Sequence, residues 1–324
     1  MAQARKAAGE AGPPADMRLG KASMGKASKT KVEATRREKV AAQRAAQRRA
    51  ERRRRILIAS GSIIAVAAIV LAFVIIKLTS KPSTSGSPAS NGPTGSALTA
   101  VVDKVTSVPA STLDAVGAGA GAVTGKPASI SGPALTASGK PEMLYIGAEY
   151  CPYCAGERWA MIVALSRFGT FSGLSTVHSS STDVFANTPT FTFYKSTYTS
   201  SYLTFTPVET TTNVKDPSSP SGYVPLQTPT AAQTALQHQY DPGGSTPFID
   251  FGNKYQITGA SYDVGVLAGL SWSQIAADLS NPSSAVAKSV DGTANYITAA
   301  ICKMTGNQPA SACTTAVQSL ESQL

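Results

Sequence analysis

Cys151 and Cys154 are the residues whose types and spacing point most directly to chemistry, because they stand together as Cys-Pro-Tyr-Cys. The apolar run before them at residues 143–146 predicts a strand, and residues 155–168 have helical composition. A thiol at a helix N-terminus has its pKa lowered from about 8.5 to between roughly 3.5 and 7.5. The arrangement predicts that Cys151 is an exposed nucleophile and that Cys154, one helical turn on, resolves a mixed disulfide.

Four cysteines occur in the chain, and they allow three disulfide connectivities. The simplest joins Cys151 to Cys154 and Cys302 to Cys313, since each bond then closes a short loop. We predict that the second bond is structural. A purely structural bond between Cys151 and Cys154 would close too small a loop to add much stability. Zinc-binding pairs have spacers of about two to four residues, whereas ten residues separate the second pair. No metal and no other cofactor is therefore predicted.

A few other side chains near these motifs receive individual predictions. Glu149, two residues before the dithiol, is a candidate general acid–base that moves a proton to or from the resolving thiol, with a solvated carboxylate as the alternative. His178 and His238 are expected to pack or to lie at the surface rather than to take part in catalysis. Trp159, one turn beyond the dithiol, is expected in the core.

The charge-free segment at residues 56–76 predicts one transmembrane helix. As a helix it would be about 31 Å long, which matches the roughly 30 Å hydrocarbon core of a bilayer. A cleaved signal peptide would begin near residue 1. Here 55 residues precede the apolar run, so an uncleaved anchor is expected.

Residues 1–55 form a strongly basic arm, with 17 of the chain's 29 Lys and Arg residues and 5 of its 19 Asp and Glu residues. Arginines at 52–55 abut the predicted span, so the positive-inside rule predicts a cytoplasmic N-terminus and an extracytoplasmic C-terminal part at a plasma membrane. The arm is expected to be largely disordered or helical and to contact anionic lipids. Nucleic-acid binding is not expected, because the arm lacks aromatic residues and a recognition motif.

The Pro, Gly and Ser residues at 77–96 predict a flexible linker before an exported domain at 97–324. An exported domain lies where disulfides persist. Two short helices are predicted within 98–116; they are separated at Pro109, and the second begins at Ser111 or Thr112. The other predicted helices are at 228–239, 271–279 and 296–304. The other predicted strands are one at 174–178, a hairpin at 190–194 and 202–205, and a hairpin at 248–251 and 255–257.

Three runs carry a family resemblance: LYIGAEYCPYCAGERW, STPFIDFGNKY and ICKMTGNQPASAC. Together they resemble an uncharacterised family of membrane-anchored, exported thioredoxin-like proteins. The resemblance covers residues 97–324 and implies an α/β, thioredoxin-like domain with a β-hairpin and helix insertion, preceded by one transmembrane helix. It also implies a cis proline beside the dithiol. The implied substrate-binding residues are Thr246, Pro247, Pro152 and Tyr153.

These features lead to one functional hypothesis and one alternative. The first is a membrane-anchored, extracytoplasmic thiol–disulfide oxidoreductase that acts on protein thiols and disulfides and exchanges electrons with a membrane redox partner. Its spacing suits an oxidant or a reductant, since such dithiols have potentials from about −270 to −120 mV. The alternative is a non-catalytic envelope module of thioredoxin-like fold, with two structural disulfides and the hairpin within 190–205 as its binding surface.

Overall fold

The computed structural model describes residues 92–324, which fold as a mixed α/β unit. Its seven α-helices are α1 (Gly95–Thr106), α2 (Ala110–Val116), α3 (Pro152–Leu165), α4 (Ala231–Tyr240), α5 (Trp272–Asp278), α6 (Ala285–Thr305) and α7 (Thr315–Glu321). Its strands are β1 (Ala128–Ser129), β2 (Thr136–Ala137), β3 (Lys140–Gly147), β4 (Gly169–Ser172), β5 (Ser175–His178), β6 (Pro189–Thr192), β7 (Thr197–Ser200), β8 (Thr204–Glu209), β9 (Thr211–Lys215), β10 (Tyr223–Pro225), β11 (Phe248–Phe251) and β12 (Tyr255–Thr258).

The predicted basic arm at 1–55, the predicted membrane span at 56–76 and most of the predicted linker at 77–96 lie outside the described residues. Between residues 92 and 324, no helix combines the length and the apolar character that crossing a bilayer requires. The described end of the linker is already structured, since α1 begins at Gly95.

The central sheet has the strand order β1–β12–β11–β3–β2, and β8 also pairs with β3. The β3–β8 pair is parallel and the other pairs of this sheet are antiparallel, so the sheet is mixed. Strand β3 therefore pairs with three other strands, β2, β8 and β11. Such central strands are apolar on both faces, which explains the continuous apolar run that predicted β3.

Alternate residues of β3 belong to two different apolar clusters, as the period of a strand requires. Met143 and Tyr145 join the large cluster that contains residues of α3 and α6. Leu144 and Ile146 join a smaller cluster against which Leu236 of α4 packs. Strand β3 is thus held between apolar layers, and it leads directly into the dithiol.

Helix α3 begins with Pro152 in its first turn, where the missing N–H of proline leaves no hydrogen bond unmade. Almost all of its residues are buried, and it packs against α6. Trp159 is fully buried and donates its Nε1–H to the Pro189 carbonyl at 2.8 Å, which confirms its predicted place in the core. The helix lies earlier in the chain than the predicted 155–168, because Arg167 and Phe168 form tighter i, i+3 turns after Leu165.

The predicted hairpin of residues 190–194 and 202–205 is wrong. Strand β6 pairs with β5, whereas β8 pairs with β3 in the central sheet. The alternation of polar and aromatic residues identified two strands correctly, but such a pattern contains no information about the pairing partner. The surface that the alternative hypothesis used for binding is therefore not a hairpin.

Several other predicted elements are present with changed boundaries. Strands β11 and β12 form the predicted hairpin, whose turn contains Gly252 and Asn253 in left-handed backbone conformations. Helices α4 and α5 begin after Thr230 and Ser271, each of which forms a capping box. Helix α2 begins after Pro109, slightly before the predicted Ser111 or Thr112. Helix α6 is much longer than the predicted 296–304.

Candidate dithiol site

The dithiol lies at the junction between β3 and α3, as the sequence predicts. Cys151 is the N-cap residue of α3, and its Sγ accepts a hydrogen bond from the Cys154 backbone N–H at 3.3 Å. Both cysteines are free thiols. The helix therefore directs one of its unpaired N-terminal amides at the sulfur of Cys151, which is the arrangement that stabilises a thiolate.

The protein shifts the pKa values of the two thiols in opposite directions. A hydrogen bond from the Cys154 side chain is the largest contribution that lowers the pKa of Cys151 from 9.0 to about 7, and the Cys154 backbone N–H and the charge of Arg158 contribute in the same direction against the effect of burial. Burial raises the pKa of Cys154 well above its ordinary value, and its hydrogen bond to Cys151 adds to that shift. At neutral pH, Cys151 is the thiolate-forming residue and Cys154 keeps its proton.

Thr246 and Pro247 lie beside Cys151, as the family resemblance implies. Cys151 Sγ donates a hydrogen bond to the Thr246 carbonyl at 3.6 Å, and the Thr246–Pro247 peptide bond is cis. The sheet explains this proximity. Because β11 runs antiparallel to β3, with Phe248 opposite Ile146, the start of β11 lies beside the end of β3.

Cys151 is only 4% exposed, so the prediction of an exposed nucleophile is wrong. The neighbouring Tyr150 ring stacks on Tyr223 with ring centroids 4.1 Å apart. The Tyr150 carbonyl accepts the Ser180 N–H at 2.7 Å, and the Tyr223 hydroxyl donates to Ser180 Oγ at 2.7 Å. Residues distant in sequence thus hold the chain beside the sulfur of Cys151. The spacing of residues around the dithiol gave no sign of these contacts.

The two residues between the cysteines differ in exposure. Pro152 is buried in the first turn of α3. Tyr153 is 40% exposed, and its ring meets that of Phe185 edge to face with centroids 6.2 Å apart. Tyr153 therefore presents an aromatic surface next to the dithiol.

A buried ion pair lies one helical turn beyond Cys154. Arg158 and Glu209 are both fully buried, and the guanidinium holds the carboxylate with two hydrogen bonds, from Nε to Oε1 at 2.8 Å and from Nη2 to Oε2 at 2.7 Å. Nη2 also donates to the Ala148 carbonyl at 2.7 Å. That carbonyl accepts the Cys151 backbone N–H at 3.3 Å, so the ion pair is connected to the dithiol turn.

Part of the chain matches a known family model. Residues 126–220 are similar to a domain of unknown function, DUF929. No curated protein and no solved structure matches the chain. The matched segment contains the dithiol and both members of the Arg158–Glu209 pair, whereas Thr246 and the C-terminal cysteines lie outside it.

Sequence reasoning missed the Arg158–Glu209 pair. Arg158 stands four residues after Cys154, a spacing that places both side chains on the same face of a helix, and this signal was available. Nothing in the sequence indicated Glu209, which comes to the site because β8 pairs with β3, with Glu209 opposite Gly147.

The candidate acid–base residues lie as follows. Glu149 is buried, and burial raises its pKa, while the Thr192 hydroxyl and the Arg158 charge oppose that rise. His178 packs its ring against Trp272 with centroids 4.5 Å apart, and burial lowers its pKa, in agreement with the predicted packing role. His238 lies in the last turn of α4.

The C-terminal cysteines form the predicted bond. Cys302, near the end of α6, is joined to Cys313, which precedes α7, and both are buried. The bond connects two helices whose apolar faces already contact each other.

Proposed function

We propose that this protein is a membrane-anchored, extracytoplasmic thiol–disulfide oxidoreductase with a thioredoxin-like fold. The observation that carries this proposal is the state of Cys151, which caps α3 and has a pKa of about 7. An attacking thiol is most effective when its pKa lies near ambient pH. The proposed contacts for an extended substrate chain are Thr246, Pro247, Pro152 and Tyr153.

In the reducing direction, the Cys151 thiolate attacks one sulfur of a substrate disulfide. The substrate S–S bond breaks, a mixed disulfide forms on Cys151, and the departing substrate sulfur leaves as a thiolate that takes up a proton. Cys154 then loses its proton and attacks Cys151 Sγ, which releases the second substrate thiol. Two electrons have passed to the substrate, and Cys151 and Cys154 are joined. The oxidising direction reverses each step.

The second step requires a base, because the Cys154 thiol is fully buried and keeps its proton at neutral pH. Glu149 is the proposed proton acceptor. Its carboxyl is buried close enough to Arg158 and Glu209 for both charges to influence its pKa. A carboxyl whose pKa is raised toward neutrality exchanges protons more readily near pH 7 than one of ordinary acidity.

The cellular setting of the proposal comes from the sequence. The apolar segment at 56–76 is the proposed anchor, and the arginines before it support a dithiol domain outside the cytoplasm. The proposed partners are protein thiols or disulfides, a membrane redox partner that restores the dithiol, and anionic lipids at the basic arm.

The reduction potential of the Cys151–Cys154 pair tests the proposal. The full-length protein in detergent is equilibrated in glutathione or dithiothreitol buffers, and its thiols are trapped and counted by mass spectrometry. A potential above about −200 mV supports an oxidase or isomerase, and one near −270 mV supports a reductase. A pair that resists reduction below about −300 mV behaves as a structural bridge and refutes the proposal.

A Cys151→Ser variant separates the proposed enzyme from the non-catalytic binding module. The enzyme loses disulfide exchange with a protein substrate and keeps its folding stability. A binding module keeps its function, and the substitution affects only its stability. The matched control is Cys302→Ser with Cys313→Ser, which removes the distant disulfide and leaves the dithiol in place.

A further inference from the structure

Burying the Arg158–Glu209 pair carries a large desolvation penalty. Both side chains are fully buried. Desolvation of two charges offsets most of their attraction, and buried ion pairs can often be replaced by apolar residues of similar volume without loss of stability. Apolar residues in place of the pair would therefore stabilise the fold about as well. The position of the pair next to the dithiol suggests a different role.

The hydrogen bonds of Arg158 connect its charge to the nucleophile. Glu209 occupies Nε and one hydrogen of Nη2, and Ala148 accepts from Nη2 as well. Nη1 has no hydrogen-bond partner although it is buried. The Ala148 carbonyl that Arg158 holds also accepts the Cys151 N–H, so one carbonyl oxygen bridges the guanidinium and the backbone of the nucleophile.

Building on the function proposed above, we propose that Arg158 is a positioning residue that holds the turn from Ala148 to Cys151 and supplies the positive charge that stabilises the thiolates of the dithiol. Glu209 keeps this guanidinium in place through its two hydrogen bonds. The carboxylate is itself held by the Phe193 N–H, which donates to Oε1 at 3.2 Å.

The charged and titratable groups around the guanidinium support this assignment. Tyr145 of β3, Glu149 of the turn, Glu209 of β8 and Cys154 of α3 all interact with it electrostatically. The Arg158 charge lowers the pKa of both cysteines.

The charge matters most in the second half of the exchange reaction. Once Cys151 is part of a mixed disulfide, its sulfur is neutral and the attacking thiolate must form on Cys154. That sulfur is fully buried, so water cannot stabilise its negative charge. Arg158, one helical turn away and equally buried, provides the stabilisation that the solvent cannot.

The test uses charge changes of opposite sign in the full-length protein in detergent. The apparent pKa of Cys151 is read from the pH dependence of iodoacetamide alkylation, with the modified residue located by fragment-ion mass spectrometry. Arg158→Met is expected to slow alkylation at pH 7 about fivefold, as a rise of the Cys151 pKa by about one unit requires. Arg158→Lys keeps the charge but loses the paired hydrogen bonds to Glu209, so it is expected to slow alkylation less than Arg158→Met does.

Glu209→Gln provides the opposite sign, because it removes a negative charge and keeps one side-chain oxygen that still accepts a hydrogen bond from Arg158. It is expected to lower the Cys151 pKa and to speed alkylation at pH 6. A merely structural role would shift both variants in the same direction. The proposal is overturned if Arg158→Met leaves the pKa unchanged, or if Glu209→Gln raises it.

A double variant, Arg158→Met with Glu209→Leu, covers the case in which a single substitution prevents folding. It removes both buried charges together, which the fold tolerates better than one unpaired charge. We expect it to fold, by circular dichroism, and to have a raised Cys151 pKa; an unchanged pKa in the folded double variant overturns the proposal. Alkylation requires no protein substrate, so this test of Arg158 does not depend on enzymatic activity. If the Cys151–Cys154 pair resists reduction in the potential measurement, that result refutes the proposed oxidoreductase function and leaves the role of Arg158 to be decided by alkylation.

Discussion

Removing the Cys154 side chain should make the Cys151 thiol less acidic. The Cys154 thiol supplies the largest favourable contribution to the lowered pKa of Cys151, whereas the Cys154 backbone N–H at 3.3 Å is independent of the side chain. Cys154→Ala therefore removes one hydrogen bond and keeps the helix N-terminus. The Cys151 pKa is expected to rise from about 7 toward the ordinary value of 9.0.

The size of the effect follows from the strength of that bond. Hydrogen bonds to charged groups contribute about 1.5 to 3 kcal/mol, and a thiol is a weak donor, so we take about 1.5 kcal/mol. One pH unit corresponds to about 1.4 kcal/mol, so the pKa should rise by about one unit. The thiolate fraction at pH 7 then falls from about one half to about one tenth, and iodoacetamide alkylation at that pH slows about fivefold.

Alkylation rates measured from pH 5 to pH 10 give the pKa directly, and Cys154→Ser is the matched control. Serine offers a hydroxyl donor at the same position, so its Cys151 pKa should remain near that of the natural protein. If Cys154→Ala titrates like the natural protein, the lowered pKa comes from the backbone amide and the helix, and the reasoning from the side-chain bond is refuted.

Three further predictions concern folding, measured by urea unfolding of the full-length protein in detergent. Burial raises the pKa of Asp291 from 3.8 to about 8, and neither carboxyl oxygen has a hydrogen-bond partner. The folded state holds this proton more tightly than the unfolded state, so the associated stability is present below about pH 4 and is lost as the pH rises to about 8. Asp291→Asn should therefore stabilise the protein more at pH 8 than at pH 5, and an equal effect at both would contradict this. Replacing Cys302 and Cys313 together by serine opens a loop with a sequence separation of 11, and should cost about 3 kcal/mol; an unchanged urea midpoint would contradict it. Trp159→Phe removes the hydrogen bond to the Pro189 carbonyl and should cost about 1 to 3 kcal/mol, whereas a neutral result would show that the carbonyl finds another donor.

The parts of the site that the sequence predicted are those set by local chemistry. The order of strand, dithiol and helix follows from an apolar run, a proline suited to a first helical turn, and good helix formers. The hairpin of β11 and β12 follows from two apolar runs around Gly252 and Asn253. Each of these signals lies within a few residues of the element that it determines.

The parts that the sequence did not predict depend on contacts between distant segments. Glu209 reaches Arg158 through the parallel pairing of β8 with β3, and Tyr223 reaches Tyr150 across a long stretch of chain. The first half of α6 was missed for another reason. It contains buried polar residues such as Ser289 and Asp291, which interrupt the apolar pattern that reveals a helix.

The pairing of β11 with β3 affects how this protein can diverge. Strand β3 ends at Gly147 and β11 begins at Phe248, and hydrogen bonds between these two strands fix the dithiol turn and Thr246 relative to each other. The loops of the intervening segment that lie outside α3 and β8 can therefore lengthen or shorten without moving the Thr246 carbonyl away from the sulfur. Strand β8 is fixed by its pairing with β3, and its last residue, Glu209, holds Arg158. Natural variants should differ in the lengths of these loops and yet retain a carboxylate at position 209.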